Sequence, residues 1–144
     1  MKKKEEKINV LDELNKGACM GVDAIKFVLD KVEDKELHRI LEKQYDNYND
    51  ISKKIHKLYP DCDKEPHETS TMNKVMTWYG IEMKTMTDNS TSKIAELLLQ
   101  GTNMGIIEGR KLLNNKDIDE EVNALIDEYV TMQEDMVEKL KEFL

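Results

Sequence analysis

Apolar residues recur along this chain at alternating three- and four-residue steps, the spacing of helices that bury one face. The first run, from about Asn9 to Val32, carries Leu11, Leu14, Ala18, Gly21, Ile25, Val28 and Val32. A second seam of Val10, Leu14, Gly17, Gly21, Ala24 and Val28 overlaps it, so this helix has a wide buried face lined partly by small residues. Asp34 can cap a second helix that runs to about Tyr59. Its seam is Leu37, Leu41, Gln44, Tyr48, Ile51, Ile55 and Leu58, flanked by Ile40 and Tyr45. The short Glu33-Asp34 joint makes the two an antiparallel hairpin.

Pro60 and Pro66 bound the longest irregular stretch, Tyr59–Thr71. A shorter helix is expected from about Met72 to Thr87, with Met72, Met76, Tyr79, Met83 and Met86 on one face and Gly80 weakening it. Asp88-Asn89-Ser90-Thr91-Ser92 breaks that helix and supplies caps for the next, roughly Ser92 to Asn115. There Ile94, Leu98, Gly101, Gly105, Glu108 and Leu112 fall in register. Beside them lies a small-residue seam of Ala95, Leu98, Thr102, Gly105, Gly109 and Leu112. Asp117 and Glu120 resemble a capping box and open the last helix. Its seam is Val122, Ile126, Tyr129, Gln133, Met136, Leu140 and Phe143. The pattern predicts an all-α four-helix bundle: two antiparallel hairpins joined by a crossover of about thirty residues that holds a short extra helix. The bundle domain spans residues 9–144, behind a solvated segment 1–8.

Two long-helix hairpins with one long crossover is the connectivity of ferritin-like bundles. The layout resembles a bacterial family of that superfamily known as domain of unknown function 2383. Phrases such as Leu11-Asp-Glu-Leu-Asn-Lys-Gly17 and Val32-Glu-Asp-Lys-Glu-Leu37 carry the resemblance. It implies a ferritin-like fold and brings no settled activity. Di-metal members of the superfamily use one Glu from each of two helices and a Glu-x-x-His from each of the others. Here the residue three before each histidine (His38, His56, His67) is a lysine: Lys35, Lys53 and Lys64. The usual di-metal site is therefore not expected, and neither a metal nor a cofactor is assigned.

Composition narrows the remaining classes. At 144 residues, one domain can bury a core without disulfides or metals. A net charge of −8 repels phosphate backbones and argues against nucleic acid. No secretory leader and no apolar run of about 20 residues is read, so no membrane partner is expected. Cys19 and Cys62 form no framework, which fits a reduced, cytoplasmic protein. Cys62, His67 and neighbouring acids share the irregular stretch but match no zinc spacing. Phosphate-binding and nucleophile-elbow motifs are lacking too.

Two groups of residues stand out. Gly17, Gly21, Gly101, Gly105 and Gly109 sit mid-helix at four-residue spacing, each at a cost of about 1 kcal/mol relative to alanine. They fit close helix packing or a recess for a bulky side chain such as Trp78 or Tyr48, a slot for a small apolar ligand, or a self-association face. Gln44, Glu108 and Gln133 occupy seam positions and predict a buried hydrogen-bond network. Glu108 then needs a partner, with Tyr48, Tyr129 and Arg110 as candidates. The expected function is a non-catalytic structural or interaction module that forms homo-oligomers. The alternatives are a small-molecule-binding module using the glycine-lined slot, and a divergent di-metal protein built on Glu108 with Glu42, Glu128 or Glu134.

Overall fold

The computed structural model describes residues 2–59, 80, 82–114 and 118–144, with side chains from residue 5 onward. Four long helices make up most of it: α1 (Lys2–Leu29), α2 (Lys35–Leu58), α3 (Thr91–Leu113) and α4 (Glu120–Lys141). Gly80 and residues 82–84 are helical as well, with Met83 buried. Calls on Pro60–Thr71, Met72, Met76, Trp78, Tyr79, Asn115 and Asp117 lie outside the described residues.

The ends of the helices follow local chemistry, with two departures from expectation. α1 takes in residues 2–8 rather than starting at Asn9. Lys and Glu are good helix formers, and Glu5 in the first turn complements the helix dipole. Lys7 is half-buried and pairs with Asp119 at 3.2 Å, which anchors this first stretch to the start of α4. At the other end of α1, Lys31 donates its ammonium to the Phe27 carbonyl at 3.0 Å and lies 4.2 Å over the Phe27 ring. Asp34 caps α2 as expected, its carboxylate accepting from the Leu37 amide at 2.9 Å. Ser90 caps α3, accepting from the Lys93 amide at 3.2 Å. Asp119 holds the cap position of α4 without a side-chain cap bond, and its carboxylate pairs with Lys7, while Asp117, expected to open this helix, lies outside the described residues.

Cross-helix pairs fix the directions. Gln133 lies against Tyr48, and Glu128 against Lys54, so α4 runs antiparallel to α2. Gly105 faces Gln133 and Gly109 faces Val130, so α3 runs antiparallel to α4 and parallel to α2. α2 thus ends at one end of the bundle, and α3 begins at the other. The core is continuous across all four helices. Leu11, Leu14, Val28, Leu37, Leu41, Ile51, Ile55, Ile94, Val122, Ile126 and Leu140 are almost fully enclosed. Each such side chain contributes on the order of 1.5–3 kcal/mol on burial. Among the described residues, no helix is long and apolar enough to cross a membrane.

Candidate functional site

Three of the inward-facing glycines, Gly21, Gly105 and Gly109, are sockets. A β-carbon added at Gly21 would fall 2.5–2.7 Å from the ring atoms of Tyr48. At Gly105 it would overlap the side-chain amide of Gln133, and at Gly109 it would lie 2.5 Å from a methyl of Val130. Real β-carbons do not approach other heavy atoms so closely. The guest comes each time from the partner helix of the same hairpin: α2 fills the socket on α1, and α4 fills those on α3. The proposed use as a recess for Tyr48 is thus observed. Gly17, Gly101, Gly105 and Gly109 are buried and Gly21 is half-buried, so this ladder does not form an outer face for self-association.

The guests meet at the middle of the bundle. The Gln133 amide nitrogen donates to the Tyr48 hydroxyl at 3.2 Å. Tyr129 meets the Tyr48 ring edge-on, with centroids 6.3 Å apart. Gln44 accepts from the Asn47 amide at 3.4 Å, while Thr102 donates to the Leu98 carbonyl at 2.6 Å. Burial pushes the Tyr48 phenol above its ordinary pKa, although the Gln133 bond and the nearby polar side chains of Gln44 and Thr102 oppose the shift. Burial raises Tyr129 further, with neighbouring Tyr48 adding to it. Both phenols therefore hold their protons at neutral pH. Two polar atoms in this group have no partner: the Gln44 amide nitrogen and the Gln133 carbonyl oxygen. Gln44 is 5% exposed and Gln133 2%.

A cavity of about 20 Å³ remains beside them, lined by residues of all four helices, among them Gly17, Gly21, Gln44, Tyr48, Gly101, Thr102 and Gln133. That is room for about one water molecule by this measure. The glycine-lined slot expected for a small apolar ligand is largely filled by Tyr48 and Gln133. Of the predicted network, Gln44 and Gln133 are both buried, the first bonded to Asn47 and the second to Tyr48.

Glu108 does not join it. Its side chain is 25% exposed, and its ion-pair partner is Lys111 at 3.6 Å, one turn along the same helix. The inward register of α3 runs through Thr102, Gly105 and Gly109, so position 108 rotates to the seam edge. The expected partners are engaged elsewhere: Arg110 pairs with Glu134 at 2.6 Å, and Tyr129 and Tyr48 face each other. The other carboxylates considered with Glu108 are dispersed. Glu128 pairs with Lys54 at 2.6 Å, and Glu42 with His38 at 2.7 Å. Among the described residues, no three His, Cys, Asp or Glu side chains are grouped to hold a metal.

A second polar contact escaped the sequence reading. Asp12 is fully buried and accepts a 2.6 Å hydrogen bond from the Tyr59 hydroxyl, while its other carboxylate oxygen has no partner. Beside it Ser52 donates to Asn15 at 3.4 Å. Tyr59 precedes Pro60, which disfavours helical backbone; it takes φ −62° and ψ 136° and ends α2 there. Burial, then the bond to Asp12 and its charge, push the Tyr59 phenol far above its usual range. The available signal was the width of the α1 face: two overlapping seams enclose their flank, and Asp12 is on it.

Fold and site together define an all-helical bundle whose centre carries uncharged polar side chains. The chain matches no family model, no curated protein and no solved structure.

Proposed function

We propose that this chain is a ferritin-like bundle that serves as a non-catalytic structural or interaction module and self-associates through the outer face of α3. The helix directions support the fold assignment, since parallel α2 and α3 require a crossover between opposite ends of the bundle. What occupies the centre supports the non-catalytic reading. Neutral amides and a phenol stand where metal-bearing bundles gather carboxylates and imidazoles, and the carboxylates are dispersed in surface ion pairs.

The observation that carries the self-association is the surface of α3. From Leu97 to Ile107 its six exposed or half-buried residues (Leu99, Gln100, Asn103, Met104, Ile106 and Ile107) carry no charge, in a chain that is 36% charged. Over whole helices α3 has five charged residues in 23, against ten in 24 for α2 and nine in 22 for α4. Gln100, Asn103 and Ile107 are exposed at helical spacing, and Ile107 is 54% exposed. Half-buried Met104 lies beside them. Depletion of charge around an apolar contact is the compositional mark of a protein interface. A second copy of the chain supplies a face of matching character, as a two-fold interface requires.

Native mass spectrometry of the untagged protein tests both parts. A dimer or higher oligomer without extra mass is expected, and Ile107→Lys should shift it to monomer while leaving helix content unchanged. A wild-type monomer at every concentration would remove the self-association. A stoichiometric metal or organic ligand would instead replace the non-catalytic reading with a binding one.

A further inference from the structure

We propose that the mid-bundle cavity binds a single ordered water, which accepts from the Gln44 amide and donates to the Gln133 carbonyl beside the Tyr48 hydroxyl. Size, polarity and need converge on this occupant. The cavity measures about 20 Å³, above the roughly 10–15 Å³ that one water requires and too small for an organic molecule. Its lining includes Gln44, Tyr48 and Gln133, which give one water the two to four partners that internal waters have. The unpartnered Gln44 nitrogen is a donor, and the unpartnered Gln133 oxygen is an acceptor. Only a guest that both accepts and donates answers both. Leaving them unanswered costs on the order of 1–3 kcal/mol for each group.

The two free amide atoms do not bond each other, and the remaining atom of each is already engaged. Gln133 holds the Tyr48 hydroxyl with its nitrogen, and Gln44 holds Asn47 with its oxygen. Glycines on the other two helices line the space: Gly17 and Gly21 from α1, and Gly101 from α3. The water would link α2 of one hairpin to α4 of the other at the centre of the core. It is a structural ligand site, and it does not depend on the oligomeric state proposed above.

The test is a high-resolution crystal structure, paired with water–amide cross-relaxation on the Gln44 and Gln133 side-chain signals in solution. One isolated oxygen peak within hydrogen-bond distance of both amides is expected, with cross-peaks from a long-lived water to both. Gln44→Met removes the donor while keeping most of the volume, and both signals should then be lost. A dry cavity in the wild type, with the two amides turned onto each other, would overturn the proposal. So would density too large for a single oxygen. Because the wild type is itself decisive, a variant that failed to fold would not shelter the idea.

Discussion

The two hairpins solve the same packing problem with different guests. In the first, Gly21 receives the rigid ring of Tyr48; in the second, Gly105 receives the flexible amide of Gln133. The glycine is equally small in both, so what a substitution costs is decided by how far the side chain opposite can yield. The guests are also coupled, since Gln133 donates to Tyr48 across the hairpin boundary. Each hairpin therefore seats its own knob, and the knobs bind the hairpins together.

Alkaline pH should produce the largest effect and tests whether the hairpins are equivalent. Tyr48 and Tyr129 have pKa values raised in the fold, so the folded state keeps protons that the unfolded chain releases near pH 10. Their stabilisation is fully present below pH 10 and is lost as pH rises beyond it. The loss is about 1.4 kcal/mol per pH unit for each phenol. Denaturant melts at pH values above 10 should show this slope, and Tyr48→Phe or Tyr129→Phe should each reduce it by a similar amount. A slope unchanged by either substitution would contradict the placement of that ring.

Gly21→Ala comes next. It forces a buried aromatic ring to move, at about 2–3 kcal/mol in urea unfolding after the helix-propensity gain of about 1 kcal/mol. In a Tyr48→Ala background the same change should become neutral or stabilising; persistence of the full penalty there would assign it to some other contact. Gly105→Ala should cost less, about 1 kcal/mol, because the Gln133 amide can swing aside while losing its bond to Tyr48. Equal penalties at Gly21 and Gly105 would erase the contrast between ring and amide. Gly80→Ala, where an added β-carbon meets nothing within 4 Å among the described residues, should raise the melting temperature slightly, by at most about 1 kcal/mol of stability. A loss there would mean that helical Gly80 has a role beyond its own backbone.

Much of this arrangement was legible in the residues. The seams of α1, α2 and α4 point inward, and Asp34 caps where expected, because apolar spacing and capping are properties of short windows. Gln44, Gln133 and the glycines were recognisable as anomalies on those seams. Which guest fills which socket was not, since Tyr48 and Gly21 are distant in sequence and meet only through the hairpin. Glu108 was misjudged because two registers compete on α3, and a one-residue difference turns a side chain by about 100°. Buried Asp12 was missed for a related reason: its partner Tyr59 is placed by the backbone restriction that Pro60 imposes, and periodicity carries no trace of that.

The helix directions also fix where the first turn of α1 and the last turn of α4 lie. α1 starts beside the start of α4, through Lys7 and Asp119, and α4 then runs the full height of the bundle before Leu144. At 1.5 Å per residue its 22 residues cover about 33 Å. The first and last described helical turns are therefore at opposite poles. Tandem copies joined by a short linker would string out along one axis like beads. A donor–acceptor dye pair on the first turn of α1 and the last turn of α4 would report bundle height directly.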